Sequence, residues 1–327
     1  MNSRRGLSLA LIFLAAALTC QTAAAQLVIG RYSGEFLSLG AGARALAMGG
    51  ASVASPTAST ASYYNPASLA GIQKRYIEFM HASQFDNLYT YDYLSFAKPM
   101  ANGMAGALTA MYTRVGDIPV TKLSDPSQPL SDDNRVLVDH KTGDNELAVM
   151  AGVGRDVGHG WRGGANAKVL FKSVAGESAG GLGFDVGVGR TLVQGLDVGL
   201  AVHDLTTSIL AWSTGRTEAI LPSAVLGGAW SADLKSVNAR VTLAADMEGH
   251  FETRGSAEQI SAGPLSAQPH VGAEYLISNT VALRGGYNGD ALTYGAGIRF
   301  SWLNINAAFQ NHNDLGFSHR ISVGIVW

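Results

Sequence analysis

The last stretch of the sequence limits the possible folds more than any other. Phe317, Ile321, Val323, Ile325 and Trp327 alternate with Ser318, Arg320, Ser322 and Gly324, so a strand over Phe317–Trp327 has one apolar and one polar face. A strand that runs to the final residue and stops on an aromatic is expected to have no tail over its open edge. That edge must pair. The simplest partner is the first strand of the same chain. A sheet closed on itself, apolar outside and polar inside, is a β-barrel in lipid, where every backbone donor and acceptor is satisfied within the protein. The last strand of a soluble sandwich shows the same alternation, so this stretch alone leaves both folds open.

The connections separate them. From Tyr76 onward the chain reads as about fourteen strands, beginning with Tyr76–Ser83, Tyr89–Lys98, Gly103–Thr113 and Glu146–Arg155. Long polar connections (Arg114 to Asn145, Asp204 to Pro222, Gly249 to Gln268) alternate with short ones such as Thr191 to Gly195 and Ile277 to Asn279. Short turns at one end and long loops at the other belong to a membrane barrel; a sandwich has no reason to produce them. The expected fold is therefore all-β: an antiparallel transmembrane β-barrel of about fourteen strands with an N-terminal plug.

Three segments follow. Residues 1–25 read as a signal peptide for Sec-type export: Arg4 and Arg5, an apolar run from Leu7 to Leu18, and Ala23 to Ala25 ahead of cleavage before Gln26. Cleavage there removes Cys20, the single cysteine, so no disulfide is expected. Residues 26–74 lack strand periodicity. They offer a small-residue helix around Arg44, Met48, Gly49 and Gly50, then a turn at Tyr64, Asn65, Pro66 and Ala67. Poor in charge, this segment is expected inside the barrel as a plug or hatch. Residues 75–327 form the barrel.

Alternation assigns faces. Leu182, Phe184, Val186 and Val188 oppose Gly183, Asp185, Gly187 and Gly189. By the same rule Asp185, Asp197, Arg240, Asp246, Glu274, Arg284 and Arg299 face the lumen, where opposite signs can pair. Tyr89, Tyr91, Tyr93, Tyr275, Tyr287 and Tyr294 are expected in the interfacial aromatic girdles. The 40 glycines in 327 residues far exceed the average of roughly 7%, which suits a tightly curved sheet or a crowded lumen. A net charge of −2 with 15% charged residues implies no nucleic-acid partner. The histidines lack metal-ligand spacing, Gly181 to Gly183 lacks the helix of a dinucleotide loop, and no cofactor or metal is expected. His203-Asp204 reads as a strand end rather than an acid–base pair, and an outer-membrane hydrolase is the weakest reading.

The stretches Phe36 to Ala51, Tyr64 to Ala70, Gly183 to Gly189, Leu196 to Leu205, Val271 to Tyr275, Leu283 to Tyr287 and Ser318 to Gly324 together resemble the PorV/PorQ family of bacterial outer-membrane proteins. That family is in turn similar to the FadL-type transporters of hydrophobic compounds. The resemblance implies a fourteen-stranded barrel with the N-terminal segment in its mouth, Asn65-Pro66-Ala67 as the hatch motif, and an outer membrane of the Gram-negative type. It also implies that Phe317, Ile321, Val323, Ile325 and Trp327 act as the signal read by the barrel assembly machinery. The acidic pair usual after the glycine motif is replaced by Ser55 to Ala58, so no role of that pair carries over. Two non-enzymatic functions follow. The first is a component associated with type IX protein secretion, with secreted cargo or secretion components as partners on the long loops. The alternative is FadL-like passive transport of small hydrophobic molecules. A tunnel reaching an interrupted strand pair favours transport; a lumen sealed by charge pairs favours docking.

Overall fold

The computed structural model describes residues 27–29, 33–252, 259–263, 265–289, 291–312 and 316–327. The expected signal peptide lies outside them, as does part of the connection after Gly249. In chain order the strands are β1 (Leu27–Ile29), β2 (Tyr76–Gln84), β3 (Tyr89–Pro99), β4 (Met104–Leu123), β5 (Val136–Gly158) and β6 (Trp161–Val174). Then come β7 (Glu177–Val193), β8 (Leu196–His203), β9 (Ser208–Trp212), β10 (Thr217–Ile220), β11 (Ser223–Leu234) and β12 (Ala239–His250). The last are β13 (Ile260–Ala262), β14 (Leu265–Ile277), β15 (Val281–Tyr287), β16 (Leu292–Arg299), β17 (Leu303–His312) and β18 (Gly316–Val326). All but β1, β9, β10 and β13 make up a closed antiparallel barrel of fourteen strands.

Closure is between β18 and β2, with Ile321 opposite His81 and Val326 opposite Tyr76. Beyond that register Arg75 and Trp327 exchange two backbone hydrogen bonds of 2.9 and 3.1 Å, which seals the end of the seam. The outer face carries Leu182, Phe184, Leu226, Leu243, Leu283, Ile298, Ile321 and Val323, all exposed. A continuous apolar belt of this kind would be an aggregation surface in water. In lipid it is the solvated face.

Three expected loops contain strand. Between Arg114 and Asn145 the strands β4 and β5 run on as a paired hairpin as far as Leu123 opposite Val136, with register shifts after Val115 and Val120. Val115, Ile118, Val120, Val136 and Val138 continue the β-branched spacing, but the polar residues among them masked it. At its tip the Asn134 side chain accepts from the Asp125 N–H and donates to the carbonyls of Asp125, Gln128 and Pro129. Between Asp204 and Pro222 lie β9 and β10, which pair with each other; β10 also takes β1 in parallel. The connection after Gly249 contains β13, which folds back on β14.

Residues 33–72 fill the lumen. Short helices, Ala43–Ala47 and Ala61–Tyr64, and 3-10 turns, Glu35–Ser38 and Pro66–Gly71, form a compact insert. Ala43, Ala45 and Ala47 are fully or nearly buried, small enough to let the helix backbone approach the wall. Tyr91 and Tyr93 are not in the outer girdle. Both are fully buried in the lumen, because odd-numbered positions of β3 point inward.

Candidate functional site: the plug and its cavities

The plug meets the wall where the wall has no side chains. Around Asn65-Pro66, a Cβ on Gly154 would sit 2.6 Å from the Pro66 carbonyl and one on Gly199 2.5 Å from the Val53 carbonyl. Added carbons on Gly164 and Gly187 would strike Pro66 and Asn65 themselves. On the far side Gly272 and Gly286 leave room for Met48 and Gly49. These wall glycines are there because the plug approaches too closely for a side chain. Between these contacts Met48, Ala51 and Val53 pack on Ala201, Ala229 and Ala244 of β8, β11 and β12.

Polar groups fix the insert. The Asn65 side chain donates to the carbonyls of Val53 (3.0 Å) and Val188 (3.1 Å) and accepts from the Ala67 N–H (3.1 Å), so it caps the 3-10 turn and ties it to β7. Arg44 donates twice to Glu274, at 2.9 and 3.0 Å, and Arg284 donates to the same carboxylate at 2.6 Å. Asp246 accepts from the N–H groups of Ser52 (2.6 Å) and Val53 (2.8 Å). His270 Nδ1 lies 2.8 Å from the Gly49 carbonyl, and Gly49 N–H donates to Thr293. Burying ions of this kind is costly unless each is paired or hydrogen-bonded.

Four tyrosines complete the fit. Tyr91 donates to the Gly40 carbonyl and Tyr93 to that of Ser59, each at 2.7 Å. Tyr63 donates to the Leu37 carbonyl, and Tyr64 accepts from the Ala41 N–H. Burial pushes the phenols of Tyr63 and Tyr64 well above the ordinary tyrosine value, so both are neutral at physiological pH.

The insert divides the lumen. On the short-turn side a cavity of about 460 Å³ is polar, lined by Arg44, Glu78, Arg284, Arg299, Asn304 and Asn306 among others. On the long-loop side a cavity of about 160 Å³ lies between an apolar side of Leu37, Leu39, Leu46, Val53, Ile220 and Leu221 and a charged side that includes Lys168, Asp185, Asp246, Glu248, His270 and Arg320. Its lining reaches an interruption in the strand pairing, which is bridged on the β7 side by the Leu205 N–H to the Phe184 carbonyl at 2.8 Å and by the pairing of β9 with β7. The β8–β11 ladder ends at His203 opposite Ser223, and the β9–β10 ladder begins at Ser208 opposite Ile220. Residues 204–207 and 221–222 between them are unladdered. The break is held by Lys168, which lies 2.8 Å from Asp185 and 2.9 Å from Asp204; Asp204 in turn binds Ser208. Outside it the surface is apolar, with Leu205, Leu182 and Phe184 exposed.

The other residues singled out in the sequence fall elsewhere. Asp197 pairs with Arg162 at 2.7 Å, away from the plug. Arg240 is exposed at the rim and pairs with Asp233 at 2.6 Å; Arg299 reaches Asn279 at 3.4 Å. Phe317, Ile321, Val323, Ile325 and Trp327 all lie on the outer face. Sequence reasoning did not single out Lys168, Leu221 or the break itself. Pro222 beside a long connection was the available signal.

No protein-family model matches the chain, and no curated protein does. Solved structures share its fold. It is similar to the Pseudomonas putida toluene transporter TodX, with a TM-score of 0.58 at 13% identity over 88% of this chain and 96% of that one. The Ralstonia pickettii toluene transporter TbuX gives 0.55 at 13% identity over 88% and 97%. A Pseudomonas aeruginosa FadL homologue gives 0.52 at 12% identity over 85% and 95%. At such identities the likeness is one of fold.

Proposed function

We propose that the chain is a non-enzymatic outer-membrane channel that lets small hydrophobic molecules pass through the outer cavity and leave sideways through the break in the wall. One observation carries this reading: a cavity of about 160 Å³, apolar on one side and charged on the other, whose apolar side reaches Ile220 and Leu221, where the strand pairing is interrupted. Its volume matches a single ring, since an engineered apolar cavity of roughly 150 Å³ holds benzene. Below it the plug and the paired charges Arg44, Glu274 and Arg284 block a straight path, while the lipid-facing exit offers an apolar molecule a favourable medium. The barrels of similar fold include two toluene transporters, which supports the FadL-type alternative over the type IX secretion role. Support for the PorV/PorQ assignment comes from the sequence resemblance alone. The plug residues Arg44, Met48, Gly49, Gly50, Tyr64, Asn65, Pro66 and Ala67 serve in this reading as the hatch that closes the inner end.

Uptake tests it. Cells carrying this barrel in a lipopolysaccharide-covered outer membrane should take up toluene several-fold faster than cells without it. Leu221→Trp, which places a ring in the break, should remove most of the gain. Equal uptake with and without the barrel rejects the channel, and full uptake through Leu221→Trp rejects the sideways exit.

A further inference from the structure

The charged side of the outer cavity is unbalanced. Among the described residues its lining carries five carboxylates, Asp185, Asp204, Asp246, Glu248 and Glu252, against two permanent cations, Lys168 and Arg320. Lys168 is taken up between Asp185 and Asp204, and Arg320 donates to the amide oxygens of Gln84 and Gln310, each at 3.1 Å. Asp246 accepts two plug N–H groups. Glu248 is more open. Its side chain is 23% exposed, against 2% for Asp185 and 8% for Asp204, and the histidines beside it stand off, His250 Nε2 at 3.4 Å and His270 Nε2 at 3.6 Å. A charge-assisted hydrogen bond is about 2.7–2.9 Å long, and an ionised carboxylate offers roughly four lone-pair sites, so Glu248 keeps acceptor capacity toward the cavity. An ordinary histidine is mostly uncharged at neutral pH. Even a charged His270 leaves five carboxylates against three cations, an excess of two negative charges.

We propose that the molecule taken into this cavity is a protonated amine carrying a single apolar ring, with Glu248 as its counter-ion. The inference rests on the channel reading and names the chemical class of the permeant. The two sides of the cavity correspond to the two ends of such a molecule. About 160 Å³ admits one ring, which Leu37, Leu46, Ile220 and Leu221 cover, while the ammonium brings three donors to the Glu248 oxygens and supplies the missing positive charge. A neutral ring leaves the excess uncompensated in a poorly solvated space, and an anion adds to it. The sideways exit serves such a molecule too, because an amphipathic cation settles in a membrane with its apolar part among the acyl chains and its charge at the headgroups.

The test is equilibrium binding of benzylamine, toluene, benzoate and ethylamine to the purified barrel at neutral pH, alongside cellular uptake of benzylamine and toluene. Benzylamine is expected to bind at least 10-fold more tightly than each of the other three. Glu248→Gln should lower benzylamine affinity at least 10-fold and leave toluene affinity unchanged, and Glu248→Asp should recover part of the loss. Toluene or benzoate binding as tight as benzylamine overturns the proposal, as does unchanged benzylamine affinity in a folded Glu248→Gln barrel. Ethylamine binding as tight as benzylamine also overturns it, since the apolar side would then hold no ring. If Glu248→Gln does not fold, the wild-type ratios decide by themselves. Barrel-dependent toluene uptake without benzylamine preference overturns this inference and leaves the channel standing; barrel-dependent uptake of neither overturns both.

Discussion

Asn65 holds three stretches of backbone at once: the turn it caps, Val53 earlier in the plug, and Val188 in the wall. Removing its amide leaves the carbonyls of Val53 and Val188 without that donor in a buried site, at about 1–3 kcal/mol for each group left unsatisfied. Gly164 acts on the same contact from the wall side, since any Cβ there meets Pro66, whereas a Cβ on Gly163 meets nothing within 4 Å. Asn65→Ala and Gly164→Ala should therefore both speed hydrogen exchange across residues 51–72 and raise entry of hydrophobic probes, while Gly163→Ala does neither. All three barrels should keep their heat-modifiable mobility. Unchanged exchange in the first two would remove Asn65-Pro66 from the hatch. The sequence suggested a turn at Asn65-Pro66, but Gly164 as its opposite face is a contact nearly a hundred residues away, which no local pattern records.

At the level of elements, the interruption in the wall is held by one buried cation together with the Asp204 N–H to Asp185 and the Leu205 N–H to Phe184. Lys168 on β6 bridges Asp185 on β7 and Asp204 at the start of the unladdered residues; all three are buried. Lys168→Met leaves two carboxylates facing each other, and breaking a buried pair in this way costs about 3–5 kcal/mol. We expect a lower unfolding temperature together with faster toluene uptake, because residues 204–207 keep only their backbone bonds to Asp185 and Phe184. Stability that falls while uptake stays the same would separate Lys168 from the exit. The seam between β18 and β2 shows the opposite case. There the alternation of Phe317 to Trp327 specified both partner and face, because a one-residue slip would turn Ile321, Val323 and Ile325 into the lumen.

The whole molecule is a cylinder divided by its insert, with a small cavity of mixed lining on one side and a larger polar one on the other. Such a cylinder should conduct poorly for water-soluble molecules whatever its diameter. Vesicles reconstituted with the barrel should show no swelling in glucose or arabinose above that of protein-free vesicles, and Asn65→Ala should raise it only modestly. Brisk sugar entry into the wild-type vesicles would mean an open pore and would reject a division by the plug.

The sequence by itself determined the closed antiparallel barrel and the outward face of strands such as β7 and β18, because period two is local and repeats along a strand. It misread Tyr91 and Tyr93 as girdle residues, since an aromatic near a strand end has the same composition whichever way it points. The tertiary structure alone decided that the ladder breaks between His203 and Ser208, that Lys168 closes on Asp204 there, and that Arg320 faces amides instead of an acid. Each of these is a meeting of residues far apart in the chain, fixed by how the barrel curves around its plug, and curvature is a property of the closed sheet rather than of any one strand.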